Sequence, residues 1–276
     1  MRSRMRSRAG PAAALALLAL SVLGLSGRPA PPLRVCADPN NLPFSNRQRE
    51  GFENRIATLL ADELGAPLEY SWTAEWRGLV RKTLGAGRCD LLMGMPAGAE
   101  GVLTTRPYYV STYVFLSRRD RRLAIRSLDD PQLRRLRIGL HFIGDDYTNP
   151  PPAHALGRRH IVDNIVGYSL YGDRARPNPP AELVHAVARG DVDVAIIWGP
   201  FAGYFGAREK APMTITPVKP AVDPPSLRFT FPISVAVRAQ DTALRERLDA
   251  GLDRLRPEIG RILREYGVPL VGTSER

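Results

Sequence analysis

Short apolar runs alternate along this chain with stretches of helical periodicity, and that alternation restricts the fold more than any other feature. Leu33-Arg34-Val35-Cys36-Ala37 opens as a strand and stops in the polar turn Asp38-Pro39-Asn40-Asn41. Phe52, Ile56, Leu59, Leu60 and Leu64 then recur at helical spacing until Gly65 and Pro67 end the run. Leu68-Glu69-Tyr70 is a second short strand, and Trp76, Leu79, Val80 and Leu84 mark a second helical face that ends at Gly85 and Gly87. Asp90-Leu91-Leu92-Met93-Gly94 follows as a third strand. Strand, helix, strand, helix, strand predicts a parallel sheet with helices on its faces.

The rhythm changes at Tyr108. Tyr109–Ser117 is an extended segment rich in β-branched and aromatic residues, and it runs into an arginine-rich loop. A new unit starts at Leu136–Leu140. It continues through a helix over Glu182–Ala188 and a strand over Val192–Trp198, then Phe229–Val237 is extended again. The last segment places Leu244, Leu248, Leu252, Leu255 and Ile259 on one helical side, with Pro257 and Gly260 set to kink or divide it. Two α/β units with extended segments at their junctions predict an α/β protein of two lobes and a cleft, the C-terminal helix packing back on the first lobe. The expected organisation is a signal segment over 1–30, a first lobe over 31–117, a second over 118–225, and a return to the first lobe over 226–276.

The N-terminus predicts export. Arg2, Arg4, Arg6 and Arg8 precede an almost wholly apolar stretch from Pro11 to Leu25, the order of a signal peptide. That stretch is shorter than the roughly 20 residues a bilayer span needs. Cleavage falls between residues 26 and 30, and no second long apolar run follows. Residues 1–30 hold five of the 39 Lys and Arg and none of the 28 acids, so the formal charge of +11 falls to +6 without them. Such a bias is too mild for a nucleic-acid-binding tail. The clusters Arg118-Arg119-Asp120-Arg121-Arg122 and Arg134-Arg135-Leu136-Arg137 read as solvated surface, with a docking patch for an acidic partner as the alternative. Cys36 and Cys89 are the only cysteines, and both lie at strands expected to be neighbours. In an exported chain this predicts one structural disulfide, two buried free thiols being the alternative reading.

Nothing in the sequence supports catalysis or a resident cofactor. His141, His154, His160 and His185 form no metal-ligand spacing, and the nucleophile-elbow, P-loop and dinucleotide-binding patterns are missing. Two stretches carry binding chemistry. Asp145, Asp146 and Tyr147 lie in Gly144-Asp145-Asp146-Tyr147-Thr148-Asn149-Pro150. The aspartates have the chemistry to accept hydrogen bonds or hold a calcium ion, but they lack an EF-hand frame, and an Asx turn ahead of the proline run accounts for them. Trp198, Phe201 and Tyr204, with Phe205, leave a strand for a helix, which puts them at the ligand-facing edge of a parallel sheet. They either line a cleft or pack apolar surface.

These stretches resemble bacterial periplasmic solute-binding proteins, within the extracellular solute-binding protein family 3 class. LRVCADPNNLPFSN with GFENRIATLLADELG is similar to the first strand, ligand loop and first helix of that class, which makes Asp38 and Asn40 candidate ligand contacts. DLLMGMPAGAEGVLTTRPYYVSTYVFLSR resembles the end of its first lobe and the crossover, and LRERLDAGLDRLRPEIGRILREYGVPL its returning helices. The resemblance implies the type II periplasmic binding protein fold, with two lobes and two crossover segments. Within the class, CADPNNLPFSN, GRCDLLMG, GDDYTNPPPAHALGRR, YGDRARPNPPAELVHAVARGDVDVAIIWGP and AGYFG resemble the subgroup associated with quinoprotein alcohol dehydrogenases. That implies a periplasmic, non-enzymatic accessory protein whose partner is a dehydrogenase that uses pyrroloquinoline quinone (PQQ), with no quinone or metal of its own.

One departure separates this chain from amino-acid binders of the class. Their Gly-Met-Thr-x-Thr-x-x-Arg pattern supplies an arginine for the ligand carboxylate, whereas this chain has Gly94-Met95-Pro96-Ala97-Gly98-Ala99-Glu100. A later strand that commonly supplies an aspartate for the ligand ammonium ends here in Trp198-Gly199-Pro200. The leading expectation is therefore the accessory role. The alternative is the solute-binding component of an importer for a small polar organic ligand.

Overall fold

Strand β1 (Leu33–Ala37) lies parallel between β4 (Leu68–Trp72) and β5 (Leu91–Pro96), with α1 (Phe52–Glu63) and the short α2 (Leu79–Lys82) as the connections. The hairpin β2 (Asn40–Asn41) and β3 (Ser45–Asn46) sits between β1 and α1, and β6 (Leu103–Thr104) follows β5. The structure is a computed structural model and describes residues 30–74, 77–142, 149–170 and 177–272. The expected signal segment through residue 29, Trp76, and the candidate residues Asp145, Asp146 and Tyr147 lie outside the described residues.

The long strand β7 (Tyr109–Arg118) leads to β8 (Ile138–Phe142), α3 (Pro151–Arg158), β9 (Ile165–Ser169), α4 (Ala181–Arg189), β10 (Val194–Trp198), α5 (Gly199–Gly206) and β11 (Met213–Pro217). The hairpin β12 (Val222–Asp223) and β13 (Leu227–Arg228) returns the chain to β14 (Thr230–Val237), and α6 (Thr242–Arg254) with α7 (Arg256–Glu265) completes it. The main sheet runs β4-β1-β5-β14-β7-β10-β8-β9. Its two ends are parallel, β4-β1-β5 and β10-β8-β9, while β14 and β7 cross between them antiparallel. This is the two-lobed type II arrangement.

Strand β7 belongs to both lobes. Tyr109–Thr112 pairs with Ile233–Thr230 of β14, and from Tyr113 onward the same strand pairs with β10 and β11. Each lobe buries its own apolar cluster. Phe52, Ile56 and Leu60 of α1 pack with Leu248, Leu252, Ile259 and Ile262 of the C-terminal helices, so those helices do return to the first lobe. Ile138, Leu140, Leu156 and Ile196 fill one side of the second lobe, and Leu183, Val184 and Ile197 the other.

Several elements differ from the sequence-based expectation. The proline run expected as a rigid loop opens α3, because Pro151 and Pro152 occupy a first helical turn, where a missing N–H costs nothing. The C-terminal helix, by contrast, divides at Pro257 as expected, for the same reason, with α7 starting one residue after Leu255. Strand β9 has little buried surface and no alternating pattern, and the periodicity argument gave no sign of it.

The two lobes are tied by direct packing. Leu42, in the loop between β2 and β3, is buried within the second-lobe cluster, and the Asn40 side chain accepts the Asn178 N–H at 2.8 Å. That loop is anchored on α1: Phe52 and Glu53 donate their backbone N–H groups to the carbonyls of Pro43 (2.8 Å) and Phe44 (3.0 Å), and Asn54 Oδ1 accepts from Gly51 and Asn46. On the opposite side, α5 meets the tail after α7. A Cβ on Gly203 would lie 1.8 Å from the Gly267 carbonyl oxygen, so only glycine permits this approach. Tyr204 stacks on Tyr266 beside it with ring centroids 5.5 Å apart.

Cys36 and Cys89 form a disulfide, with Cα atoms 5.5 Å apart. It is buried with Leu84, Leu92 and Ala236, and Arg238 donates to the Cys89 carbonyl and to Asp90. Two expected outcomes follow. Reduction should lower unfolding free energy by about 4 kcal/mol in the chain-entropy estimate for a loop of this length, read as a shift in denaturant midpoint. Gly203→Ala should destabilise the protein by roughly 1–3 kcal/mol through overpacking; a midpoint identical to the unaltered protein would show that α5 and the tail are not in contact.

Candidate functional site

A cavity of about 420 Å³ opens where the crossover strands meet the ligand-facing edges of both lobes. The first lobe contributes Asp38, Asn41, Met93 and Met95; β7 and β14 contribute Tyr109, Tyr113 and Phe231; the second lobe contributes Leu170, Trp198 and Phe201. Among the described residues that line it, none is Lys, Arg or His, and two are acids, Asp38 and Glu53.

Of the residues singled out in the sequence, Asp38, Trp198 and Phe201 line this cavity. Asn40 stands beside it, its side chain engaged by the Asn178 N–H. Tyr204 does not line it. It is buried against Tyr266 and Phe205, with the Arg208 guanidinium 3.5 Å above its ring. Phe201 touches the cavity and the interior together, meeting Phe44 edge-on at 5.2 Å and His141 at 5.4 Å. His141 is buried with Nε2 3.1 Å from the Pro180 carbonyl, a pairing that requires Nε2–H to donate. Burial pushes its pKa down to about 4, which keeps it neutral.

Sequence reasoning missed Glu53, Tyr113 and Phe231. Glu53 sits in the first turn of α1 with part of its surface open to the cavity, yet its Oε1 is shut away with no hydrogen-bond partner among the described residues. Burial raises its pKa to about 8, and the nearby Tyr108 hydroxyl offsets only part of that cost. The carboxylate has room because residue 94 is glycine: a Cβ there would lie 2.3 Å from Oε1, and the backbone has φ +71°. An acid one residue after the first buried aromatic of a helix, beside the ligand loop, was the available signal.

Residues 33–268 match the bacterial extracellular solute-binding proteins, family 3. The chain belongs to that family. It is 35% identical over 251 residues to protein MoxJ of Methylorubrum extorquens, covering 88% of this chain and 82% of MoxJ. Among solved structures it is similar to MxaJ from Methylophaga aminisulfidivorans MPT, at TM-score 0.76 and 29% identity, covering 87% of this chain and all of that one. It is also similar to the periplasmic binding protein XoxJ from Methylobacterium extorquens AM1, at TM-score 0.72 and 35% identity, covering 87% of this chain and 99% of that one.

Within family 3, this cleft departs from the amino-acid-binding pattern. Among the described residues, no arginine after β5 lines the cavity. The next one, Arg106, turns to α6, where its backbone N–H donates to Asp249 at 2.7 Å and its guanidinium pairs with Asp253. Among the described residues no helix is long and apolar enough to cross a membrane, and no cluster of three His, Cys, Asp or Glu is placed to hold a metal ion.

The titrations of Glu53 and His141 act on stability in opposite directions. Between pH 4.5 and about 8 the folded chain keeps the Glu53 proton that the unfolded chain has lost, so stability falls as pH rises across that window. His141 raises stability with pH only between about 4 and 6.5. Above pH 6.5, Glu53 acts alone of the two. The melting temperature should decline from pH 6.5 to 8, and Glu53→Gln should remove most of that decline; an equal slope in both proteins would place the buried charge elsewhere.

Proposed function

We propose that the mature chain is a periplasmic, non-enzymatic accessory protein that binds a PQQ-dependent alcohol (methanol) dehydrogenase and helps to mature or activate it. The observation that carries this reading is similarity along nearly the whole length to MoxJ, MxaJ and XoxJ, in agreement with the resemblance to quinoprotein-dehydrogenase-associated proteins. The cleft supports it. An amino acid entering this cavity would bring its carboxylate beside Asp38 and Glu53, with no cation to meet it among the described lining residues, and an unpaired buried carboxylate is costly.

The packing between the lobes points the same way. Phe44 and Tyr266 each touch apolar groups of both lobes, and the α5–tail contact leaves no gap at Gly203. Moving the lobes apart would break these contacts, whereas a docking surface benefits from being fixed beforehand. The candidate contacts for the dehydrogenase are Asp145, Asp146, Tyr147, Trp198, Phe201 and Tyr204, of which Phe201 and Tyr204 are buried in the free protein. The arginine-rich stretch Arg118–Arg122 is a second surface suited to an acidic partner.

The solute-import reading retains one favouring observation, the cavity itself, whose volume falls in the range of small-molecule sites. Two measurements separate the readings. Sedimentation of the mature chain with the purified dehydrogenase should show a salt-sensitive complex at micromolar concentration, and calorimetry against the common amino acids should show no micromolar binding. A tight amino-acid complex with no dehydrogenase association would promote import instead.

A further inference from the structure

Three of the cavity's rings form a corner. Tyr113 on β7 and Trp198 at the end of β10 are opposite one another across the sheet, with centroids 5.4 Å apart and planes at 60°. Phe231 on β14 completes the set, 5.9 Å from Trp198 at 69° and 6.5 Å from Tyr113 at 72°. All three line the cavity and are only partly buried, unlike the core rings Phe52 and Phe229. A cation is attracted to an aromatic face within about 6 Å of its centroid. If it sits roughly 4 to 4.5 Å from each of three rings at right angles, their centroids stand about 5.7 to 6.4 Å apart. The 5.9 Å spacing lies within that range, and the 5.4 and 6.5 Å spacings fall just outside its two ends.

The charges agree with the rings. The lining acids are Asp38 and Glu53, and no lining residue among those described is cationic. Among the described residues, Glu53 Oε1 is the one carboxylate oxygen in the cavity that is buried without a hydrogen-bond partner. We propose that this cleft binds a small organic cation bearing a quaternary, methylated ammonium, seated in the corner of Tyr113, Trp198 and Phe231 and balanced by Glu53. Methylated ammonium suits the site better than a bare one. A quaternary nitrogen keeps its charge at every pH, sheds little hydration, and presents apolar methyl groups to rings and to Met93 and Met95. Cation capture is a property of the cleft alone and holds whether or not the protein touches a dehydrogenase.

Glu53 couples capture to protons. Its neighbours are Tyr108 and Tyr109 at the start of β7 and Tyr70 on β4, all held neutral by raised pKa values through the physiological range, and Asp38 shares the cavity. A bound cation favours the Glu53 carboxylate, so each binding event below pH 8 releases a proton and affinity rises with pH.

The test is calorimetry of the mature protein with choline and with 3,3-dimethylbutan-1-ol, which has the same shape without the charge. At pH 8 choline should bind with Kd below about 1 mM and at least roughly tenfold more tightly than the alcohol, and Trp198→Leu should weaken it about tenfold. Between pH 6 and 8 choline affinity should rise several-fold, and Glu53→Gln should bind more weakly with no such rise. Circular dichroism of both variants separates a lost site from a lost fold. Equal or tighter binding of the neutral alcohol, or no choline binding at millimolar concentration, overturns the proposal. Neither result bears on whether the protein associates with a dehydrogenase.

Discussion

Strand β7 has to serve two sheets with one backbone. Its first residues satisfy their hydrogen bonds on β14 and its later ones on β10 and β11, so the change of partner between Thr112 and Tyr113 fixes where the lobes meet. That handover positions the cavity, because Tyr109 and Tyr113 face it from either side of the change, while Trp198 and Phe231 arrive on the flanking strands. Ser111, next to the handover, donates to the Pro269 carbonyl at 2.7 Å, and Val271 N–H reaches the Val110 carbonyl at 3.0 Å. The C-terminal tail is thus fastened to the same few residues. A side chain placed wrongly here would disturb the sheet, the cavity and the docking of the tail together.

Glu53 differs from other carboxylates of this protein. Several of those are held low by arginines: Arg159 and Arg158 keep Asp223 below the usual carboxylate range, and Arg34 with Arg238 outweighs burial at Asp90. Glu53 has no such partner, and its pKa moves the other way. Folding tolerates that cost where the acid has a use, and strongly shifted groups in clefts are candidates for function on physical grounds. The accessory role and the capture of a cation are compatible, since neither requires the other.

Much of the fold was legible because its signals are local. Phe52, Ile56 and Leu60 carry a helical period, and Val194–Trp198 is a run of β-forming residues that stops at Gly199-Pro200. The disulfide was legible because two cysteines in an exported chain fell on strands that a parallel order makes neighbours. Strand β9 was not, since it is largely exposed and is held by pairing with β8, and the two-residue strands of the β12–β13 hairpin are too short to carry a period. The same limit governs the site. Trp198 and Phe201 stand at a strand end, where topology points to a cleft, but Tyr204, three residues further along the helix, is carried away from it. Glu53, Tyr113 and Phe231 come together only through the crossover, and no spacing in the sequence encodes that meeting.

Accessory function at a quinoprotein dehydrogenase is the central claim, and it has a direct assay. The dehydrogenase would be produced in cells lacking this protein, and its dye-linked alcohol oxidation and PQQ content measured before and after addition of the purified mature chain. The account predicts low activity that rises several-fold on addition, while the added chain alone oxidises nothing. Activity and PQQ content that are already full, and unchanged by the protein at micromolar concentration, would contradict it.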